Sequence, residues 1–312
     1  MHVVVTGGAG FIGSHLVDAL IERGHAVTVL DNFSNGSMNN VKPHMKNRDF
    51  KLVKGDIRDK AALKRALHGA DAVVHLAAMI SVPLSVKNPK LAQEVNVEGT
   101  LSILTASREA EVKRFVYAST CAVYGEAKKL PITEDTPPNP LSPYARSKLD
   151  AEESCHAFYG MDGFPAISLR YFNVYGPRQS GGEYAGVMLK FFERLKNNQP
   201  PIIYGDGTQT RDFIYVGDAV EATLLALEKG GIEGEVINVG TMKRTNINEL
   251  CRMFIRLSGK DLNPIYEAAR PGDIKHSQAD ISKAQKLLGF EPKVPIERGV
   301  EILWKYLEAG QL

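Results

Sequence analysis

The sequence predicts an α/β protein with a doubly wound parallel sheet, followed by a smaller C-terminal α/β lobe. Three observations support this prediction. Short apolar runs alternate with helical patterns over the first half of the chain, a glycine-rich turn joins the first strand to the first helix, and the alternation changes after about residue 173. Strands that alternate with helices form βαβ units, whose right-handed crossovers cover both faces of a parallel sheet.

Apolar periodicity places the elements of the first half. The predicted strands are Val3–Val5, Ala26–Leu30, Phe50–Lys54, Ala72–Leu76, Arg114–Ala118 and Ala166–Tyr171. The predicted helices are Ile12–Arg23, Lys60–Leu67, Leu91–Ala110 and Pro143–Tyr159. The first 173 residues therefore form one candidate domain.

Residues 174–312 form the second candidate domain, although some of its elements are allowed to return to the first. It opens with a predicted loop, Gly176–Gly186, because glycine and proline cluster there. Predicted helices and strands follow at Val187–Asn197, Ile202–Tyr204, Phe213–Val216, Val236–Val239 and Asn246–Ser258. Asn246 and Glu249 match the capping-box pattern at the start of the last helix.

Composition excludes several classes of protein. Among 312 residues, 38 lysines and arginines face 36 aspartates and glutamates, so no charge excess indicates nucleic acid or an anionic membrane. The three cysteines, Cys121, Cys155 and Cys251, match neither a disulfide framework nor a zinc site, and no other metal-ligand spacing is present. The N-terminus lacks a signal-peptide pattern, and no apolar run is long enough to span a bilayer. We expect a cytoplasmic protein.

A glycine-rich turn follows the first strand. Gly7, Gly10 and Gly13 lie in GGAGFIG, directly before the first helix. Glycine lets the backbone approach a pyrophosphate, and the helix N-terminus points N–H groups at that anion. Asp31, at the end of the second strand, is placed to bind the ribose hydroxyls of NAD and to repel the 2′-phosphate of NADP. The sequence therefore predicts a Rossmann domain that binds NAD, in which Asp56 and Ile57 face the adenine.

Tyr144 and Lys148 form a Tyr-x-x-x-Lys pair on a predicted helix, where residues four apart share a face. A nearby ammonium favours the phenolate, so the tyrosine can act as a general base or acid near neutral pH. A hydroxyl at the carboxyl end of the strand that begins at Arg114, either Ser119 or Thr120, can hydrogen-bond a reacting oxygen.

The ordered motifs resemble a known family. They are GGAGFIG, LDN, GDI, HLAA, Asn96 in VNVEGT, STCAVYG, YARSK, RYFNVYGPRQ and TRDFIYV, and the resemblance they carry extends from residue 2 to about residue 300. Together they resemble the extended short-chain dehydrogenases/reductases of the NAD-dependent epimerase/dehydratase type. Within that group the chain is similar to the UDP-sugar 4-epimerases, with some features of the UDP-N-acetylglucosamine 4-epimerases.

The resemblance implies a role for each matching residue. Thr120, Tyr144 and Lys148 are the implied catalytic residues, and Lys148 also binds the nicotinamide ribose. The other implied NAD-binding residues are Gly7, Gly10, Phe11, Ile12, Gly13, Asp31, Asn32, Phe33, Ser34, Asn35, Gly36, Asp56, Ile57, Leu76, Ala77, Ala78, Asn96 and Phe172. The implied substrate-binding residues are Ser81, Thr120, Asn173, Val187, Tyr204, Arg211, Arg270, Asp273 and Ser277. Arg211 and Arg270 would grip the diphosphate, because a guanidinium fork suits phosphate oxygens.

The resemblance also implies a reaction: transient oxidation of a UDP-sugar at C4, rotation of the 4-keto sugar and return of the hydride to its other face. Related dehydratases and decarboxylases carry an acid just after Thr120, where this chain has Cys121 and Ala122. We interpret Cys121 as a small buried residue rather than a catalytic thiol. Ser277 falls where glucose-specific enzymes can carry a bulky tyrosine, so its size leaves room for an N-acetyl group.

The predicted function is therefore a UDP-glucose/UDP-galactose 4-epimerase that also tolerates N-acetylated sugars. UDP-glucuronate or another nucleotide sugar is the alternative substrate, and a non-catalytic dinucleotide-binding sensor is the alternative class. Members of the family commonly dimerise through two helices, which correspond here to Leu91–Ala110 and Pro143–Tyr159.

Overall fold

A seven-stranded parallel sheet forms the centre of the protein, whose computed structural model describes residues 1–179, 186–269 and 273–310. In chain order, β1 to β6 are His2–Thr6, Ala26–Asp31, Phe50–Lys54, Ala72–His75, Arg114–Thr120 and Ala166–Tyr171. The seventh strand, β11, is Val236–Val239. The strand order is β11-β6-β5-β4-β1-β2-β3, so the direction of winding reverses between β1 and β4. Ligands of such sheets bind at this reversal, beyond the carboxyl ends of the strands.

Helices cover both faces of the sheet. Those of the first half are α1 Phe11–Glu22, α2 Met38–Val41, α3 Lys60–Leu67, α4 Val82–Lys87, α5 Pro89–Ala92, α6 Gly99–Glu109 and α7 Pro143–Asp162. Short 3₁₀ turns lie at Lys42–His44 and Cys121–Tyr124, and a π-helical segment lies at Gln93–Glu98. Apolar residues of α3, α6 and α7 pack on one face of the sheet, and those of α1 pack on the other.

The C-terminal part has its own apolar core. Its elements are β7 Asn173–Tyr175, α8 Val187–Lys196, β8 Ile202–Tyr204, β9 Thr210–Arg211, β10 Phe213–Tyr215, α9 Val216–Glu228, β12 Thr245–Asn246, α10 Ile247–Ser258, β13 Ile265–Glu267, α11 Ser282–Leu288 and α12 Ile296–Glu308. Aromatic and aliphatic side chains of α8, α10 and α12 pack together there, including Phe192 against Trp304. The capping box predicted at Asn246 and Glu249 is present.

The predicted fold class is confirmed, with local corrections. The predicted helix Leu91–Ala110 is interrupted by the π-helical segment, within which the Asn96 carbonyl accepts a hydrogen bond from the Thr100 hydroxyl. The helix α9 was not predicted; its apolar residues pack against α1 and the sheet. The predicted loop Gly176–Gly186 lies partly outside the described residues. The division at residue 173 stays a prediction, and β11 pairs with β6 from beyond it.

Candidate active site

The glycine-rich turn is packed too closely for side chains. A Cβ on Gly13 would lie 2.2 Å from the Gly7 carbonyl oxygen, and a Cβ on Gly7 would lie 2.8 Å from the Ala77 nitrogen. Gly7 also has a φ of +69°, which side chains rarely adopt. Helix α1 begins at Phe11, and its N-cap residue, Gly10, has no side chain to cap the N–H groups of the first turn. The turn therefore presents the N-terminus of α1 to an anion, as a pyrophosphate cradle requires.

Asp31 closes the next loop against this turn. Its buried carboxylate accepts hydrogen bonds from the Ala9 N–H at 2.9 Å and the Phe33 N–H at 2.7 Å. Burial raises the pKa of Asp31, and the two backbone donors oppose that rise. A Cβ on Gly36 would lie 3.0 Å from the same carboxylate, so the segment from Asn32 through Ser34 and Asn35 to Gly36 curls around it. The fixed negative charge suits ribose hydroxyls and opposes a 2′-phosphate.

The predicted adenine-side residues are held by their neighbours. The Asp56 carboxylate accepts hydrogen bonds from the Arg58 guanidinium at 2.8 and 2.9 Å and from the Asn32 amide at 2.9 Å. The Arg58 hydrogen bonds lower the pKa of Asp56 to about 2. Ile57 is buried and faces Gly99 at the start of α6. Asp56 is therefore a fixed anion whose oxygens already serve as acceptors for protein donors.

A buried histidine, which the sequence analysis did not single out, links the turn to the segment after β4. His75 Nδ1 lies 2.6 Å from the Thr6 hydroxyl, and His75 Nε2 lies 3.0 Å from the Thr100 hydroxyl. The Thr100 hydroxyl donates to the Asn96 carbonyl, so the ring proton belongs on Nε2. Burial lowers the pKa of His75 to about 3, so the ring is neutral. The Thr6 hydroxyl accepts from the Ala77 N–H, which places Leu76, Ala77 and Ala78 beside the glycine turn.

Asn96 ties this segment to the helix that carries the tyrosine. Its amide accepts from the Met79 N–H at 2.8 Å and donates to the Met79 carbonyl at 3.0 Å. It also donates to the Ser147 hydroxyl at 2.9 Å, and Ser147 donates to the Tyr144 carbonyl. On the other side, the Tyr144 N–H donates to Ser85 of α4, the helix that Ser81 caps. The position of Tyr144 is thus fixed from two sides.

The three predicted catalytic residues meet at the carboxyl end of β5. Thr120 ends β5, and its hydroxyl lies close enough to Tyr144 of α7 to lower the pKa of the phenol. Lys148 lies one turn further along the same helix, with its Nζ 4.2 Å from the centre of the Tyr117 ring. Phe172 is buried nearby, with its ring centre 6.4 Å from that of Tyr124. The structure therefore brings these residues together.

Burial dominates the electrostatics of this group. It raises the pKa of Tyr144 to about 12, and the hydrogen bond with Thr120 opposes the rise. It lowers the pKa of Lys148 to about 7, against the neighbouring Cys155 and Glu152. Burial also raises the pKa of Cys121 to about 12, which agrees with a structural rather than a nucleophilic cysteine. Additional positive charge beside Tyr144 would bring its pKa back toward neutrality.

Ser119, the other hydroxyl considered for this site, points elsewhere. Its Oγ donates to Glu152 Oε2 at 2.5 Å. Glu152 also accepts hydrogen bonds from Arg170 of β6, and all three side chains are buried. The sequence analysis did not predict this buried ion pair. The feature that could have indicated it is the position of Glu152, four residues after Lys148 and on the same face of α7.

Five of the predicted substrate residues line one cavity, whose volume is about 230 Å³. They are Asn173, Val187, Tyr204, Arg211 and Asp273. Arg211 donates to Asp273 at 2.5 Å, so the arginine predicted to bind the diphosphate is paired with another predicted substrate residue. Asn173 Oδ1 is buried and has no hydrogen-bond partner among the described residues, which leaves an acceptor for a polar ligand.

The remaining predicted substrate residues lie apart from this cavity or outside the described ranges. Arg270 falls outside the described residues. Ser81 caps α4, beside the N-terminus of α7. Ser277 is buried, and its N–H donates to the Thr210 carbonyl at 3.1 Å, next to Arg211.

Two features are absent from residues 1–179, 186–269 and 273–310. Within those ranges, no three histidine, cysteine, aspartate or glutamate side chains gather where they could hold a metal ion. No helix in them combines the length and apolar character needed to cross a bilayer.

The parallel sheet, the glycine cradle closed by an aspartate, and the Thr–Tyr–Lys group define an α/β dinucleotide-binding enzyme. Residues 3–240 match the profile of the NAD dependent epimerase/dehydratase family. The chain belongs to this family, and its cofactor is NAD.

Solved structures across this family have the same fold. The UDP-glucose 4-epimerase of Thermotoga maritima, solved with UDP-glucose, is 40% identical, with a TM-score of 0.94 over 100% of both chains. The UDP-N-acetylglucosamine 4-epimerase of Methanobrevibacter ruminantium, in complex with UDP-N-acetylmuramic acid, is 39% identical, with a TM-score of 0.94 over 99% of this chain and 98% of that one. The UDP-glucuronic acid 4-epimerase of Bacillus cereus, in complex with UDP-glucuronic acid and NAD, is 36% identical, with a TM-score of 0.92 over 99% of each chain.

Proposed function

We propose that this protein interconverts UDP-glucose and UDP-galactose by transient oxidation at C4, with tightly bound NAD, and that it also accepts the N-acetylated pair. One observation carries the proposal. Thr120, Tyr144 and Lys148 lie together at the carboxyl edge of the same sheet whose first turn forms the glycine cradle. An acid/base pair and a dinucleotide site on one edge are what a reversible hydride transfer needs.

The residues that would hold NAD fit the group. The glycine turn would take the pyrophosphate, Asp31 the adenosine ribose, and the segment Leu76–Ala78 together with Phe172 the nicotinamide side. When bound there, NAD would supply the hydride acceptor for the oxidation and the hydride donor for the reduction that follows. The role of the protein is to align the sugar and move its proton.

Tyr144 acts as the base that takes the proton from the sugar 4-hydroxyl. The Lys148 ammonium stabilises the resulting phenolate charge, and the Thr120 hydroxyl holds the oxygen being oxidised. After oxidation, the 4-keto sugar turns about its link to the diphosphate, while Arg211 and Asn173 keep the nucleotide in its cavity. Tyr144 then returns the proton to the C4 oxygen, once C4 presents its other face for the return of the hydride.

The choice of sugar depends on the space beside the C-terminal lobe. Ser277 has a small side chain at the position predicted to limit the sugar pocket, which supports acceptance of an N-acetyl group. UDP-glucuronate is the second candidate, supported by the 36%-identical B. cereus enzyme, whose structure contains that sugar.

The test is to incubate purified protein, without added NAD, separately with UDP-galactose, UDP-N-acetylgalactosamine and UDP-glucuronate, and to identify the products by NMR. We expect 4-epimers from the first two. Conversion of UDP-galactose alone would refute the N-acetyl tolerance, and conversion of UDP-glucuronate alone would replace the substrate. If added NAD⁺ restored no reaction with any sugar, the epimerase proposal would fail in favour of a binding role.

We also propose that the protein is a cytoplasmic homodimer that pairs through the regions of α6 and α7. Leu101 of α6 and Met161 of α7 are exposed apolar side chains, 39% and 76% accessible in the single chain. Burial of such side chains favours association. Sedimentation of the purified protein would test the dimer.

A further inference from the structure

Glu152 is buried beneath the catalytic group, although no step of the proposed reaction uses it. Tyr144, Lys148 and Glu152 are spaced four residues apart on α7, so they share one face of the helix. Lys148 and Glu152 are each only 4% exposed. A carboxylate in such a position needs several hydrogen-bond donors to offset the loss of water.

Those donors come from two different strands. Arg170 Nε donates to both carboxylate oxygens of Glu152, at 3.2 and 3.0 Å, and its NH2 group donates to Oε1 at 2.5 Å. The Ser119 hydroxyl donates to Oε2 at 2.5 Å. Ser119 and Arg170 are also direct partners in the pairing of β5 with β6. One carboxylate therefore joins α7 to both β5 and β6, at the pair of residues immediately before Thr120 in the register of the two strands.

The arginine also contacts the turn that follows Thr120. Its guanidinium carbon lies 4.7 Å from the centre of the Tyr124 ring, and Tyr124 donates to Asn238 at 2.7 Å. The Thr120 side chain begins this turn by accepting from the Ala122 N–H. The residues on both sides of Thr120 are thus held by the Glu152–Arg170 pair or by a contact with it.

Stability alone does not explain a buried ion pair, because a protein with well-packed apolar residues of similar volume in its place is often equally stable or more stable. Its geometry is specific, however, because the guanidinium fork fixes the carboxylate in one orientation. We propose that Glu152, held by Arg170, is a positioning residue: it sets Thr120 against Tyr144 and provides an anion on the same face of α7 as the Lys148 ammonium. The inference rests on the proposed function.

The groups around Lys148 support the proposed effect of Glu152 on its ammonium. His75 faces it from β4 and is neutral, since burial lowers its pKa to about 3. Tyr117 faces it from β5 with its ring, and Tyr144 lies one turn back on α7. Cys155 of α7 also lies nearby, but burial raises the pKa of its thiol far above neutrality. Glu152 is therefore the anion that opposes the desolvation of Lys148.

The main test compares Glu152→Gln and Glu152→Asp with the wild type in the UDP-galactose assay. Glu152→Gln removes the charge, and we expect kcat to fall about 10- to 100-fold with little change in KM. Without the carboxylate, the pKa of Lys148 falls further, so the alkaline limb of the kcat–pH profile moves to lower pH. Glu152→Asp keeps the charge but shortens the reach to Ser119. We expect it to lower kcat while leaving the alkaline limb in place, and it preserves the test if the glutamine variant does not fold.

Glu233→Gln is the matched control. It breaks the Arg114–Glu233 ion pair, which joins the start of β5 to the segment before β11 at 2.8 Å, away from the tyrosine. We expect a lower melting temperature in this variant but unchanged kcat and pH profile. Two results would overturn the proposal: kcat within about two-fold of wild type in both Glu152 variants, or a loss of kcat in Glu152→Gln with the alkaline limb unmoved.

Amide hydrogen exchange provides a measurement that needs no sugar. Glu152→Gln should speed exchange at residues 119–125, where the N–H groups of Ala122 and Gly125 close the turn after Thr120. Exchange in β1 and β2 should stay slow. Unchanged exchange at residues 119–125 would refute the positioning role even if the wild type epimerised none of the sugars, so the two proposals fail separately.

Discussion

Gly13 provides a sharp test of the cofactor cradle, because helix propensity and packing predict opposite results for Gly13→Ala. Gly13 lies inside α1, where alanine is normally favoured over glycine by about 1 kcal/mol. The added Cβ would, however, lie 2.2 Å from the Gly7 oxygen and 2.8 Å from Gly8 Cα. Ordinary contact begins at 3.4 Å, so the turn and the helix must separate by about 1 Å.

Such a displacement moves the N–H groups of the first turn away from the pyrophosphate. A misplacement of about 1 Å in an active site can lower the reaction rate about 100-fold. We expect a loss of the same order in the affinity for NAD. We therefore expect NAD to bind about 100-fold more weakly to Gly13→Ala, which corresponds to about 2.7 kcal/mol. The assays are the NAD content of the purified protein, calorimetric titration with NAD, and thermal unfolding with and without NAD.

Gly160→Ala is the matched control. Gly160 also lies inside a helix, α7, and a Cβ there has no atom within 4 Å among the described residues. This variant should gain about 0.5–1 kcal/mol of stability and bind NAD like the wild type. If Gly13→Ala retained stoichiometric NAD with the melting temperature of wild type, the steric reasoning about the cradle would be wrong.

Three further predictions test the site. Tyr144→Phe should lower kcat by about 10²- to 10⁴-fold with NAD retained. Its control, Tyr171→Phe, removes a buried hydroxyl 2.7 Å from Thr223 and should cost about 1 kcal/mol of stability and no activity. Equal losses of kcat in the two variants would contradict the role of Tyr144 as the base. Lys148→Met tests, in the NAD-free protein, how the protonation of Lys148 affects the free energy of unfolding. The pKa of Lys148 is about 7 in the folded protein, below its ordinary 10.5, so between these two values the unfolded chain binds more protons than the folded one. The stability of the wild type therefore rises with pH across that interval. The variant should therefore gain more stability at about pH 6 than at about pH 10, and an equal gain at both would contradict the pKa of Lys148. Asp31→Asn should weaken NAD binding and reduce the preference for NAD over NADP in calorimetric titrations. If the ratio of the NADP and NAD dissociation constants stayed the same, Asp31 would have no role in choosing the cofactor.

The sequence alone predicted the features that depend on local pattern. The alternation of strands and helices determined the doubly wound sheet, and the glycine spacing after β1 determined where a dinucleotide can lie. The helical spacing of Tyr144 and Lys148 placed them on one face. The sheet and the shared helix face could be predicted because their causes act over a few residues: backbone sterics, helix periodicity and the alternation of apolar side chains.

The tertiary structure decided what depends on residues far apart in the chain. The residue pattern alone left both Ser119 and Thr120 open, and only the family resemblance favoured Thr120. The distance from Ser119 to Glu152 in the folded protein shows that the Ser119 hydroxyl is engaged elsewhere. The return of β11 to the edge of the sheet beside β6 was likewise not fixed by its apolar pattern. Hydrogen-bond partners and sheet neighbours are chosen by the packing of the whole chain, because each buried polar group must find a partner wherever the fold brings one.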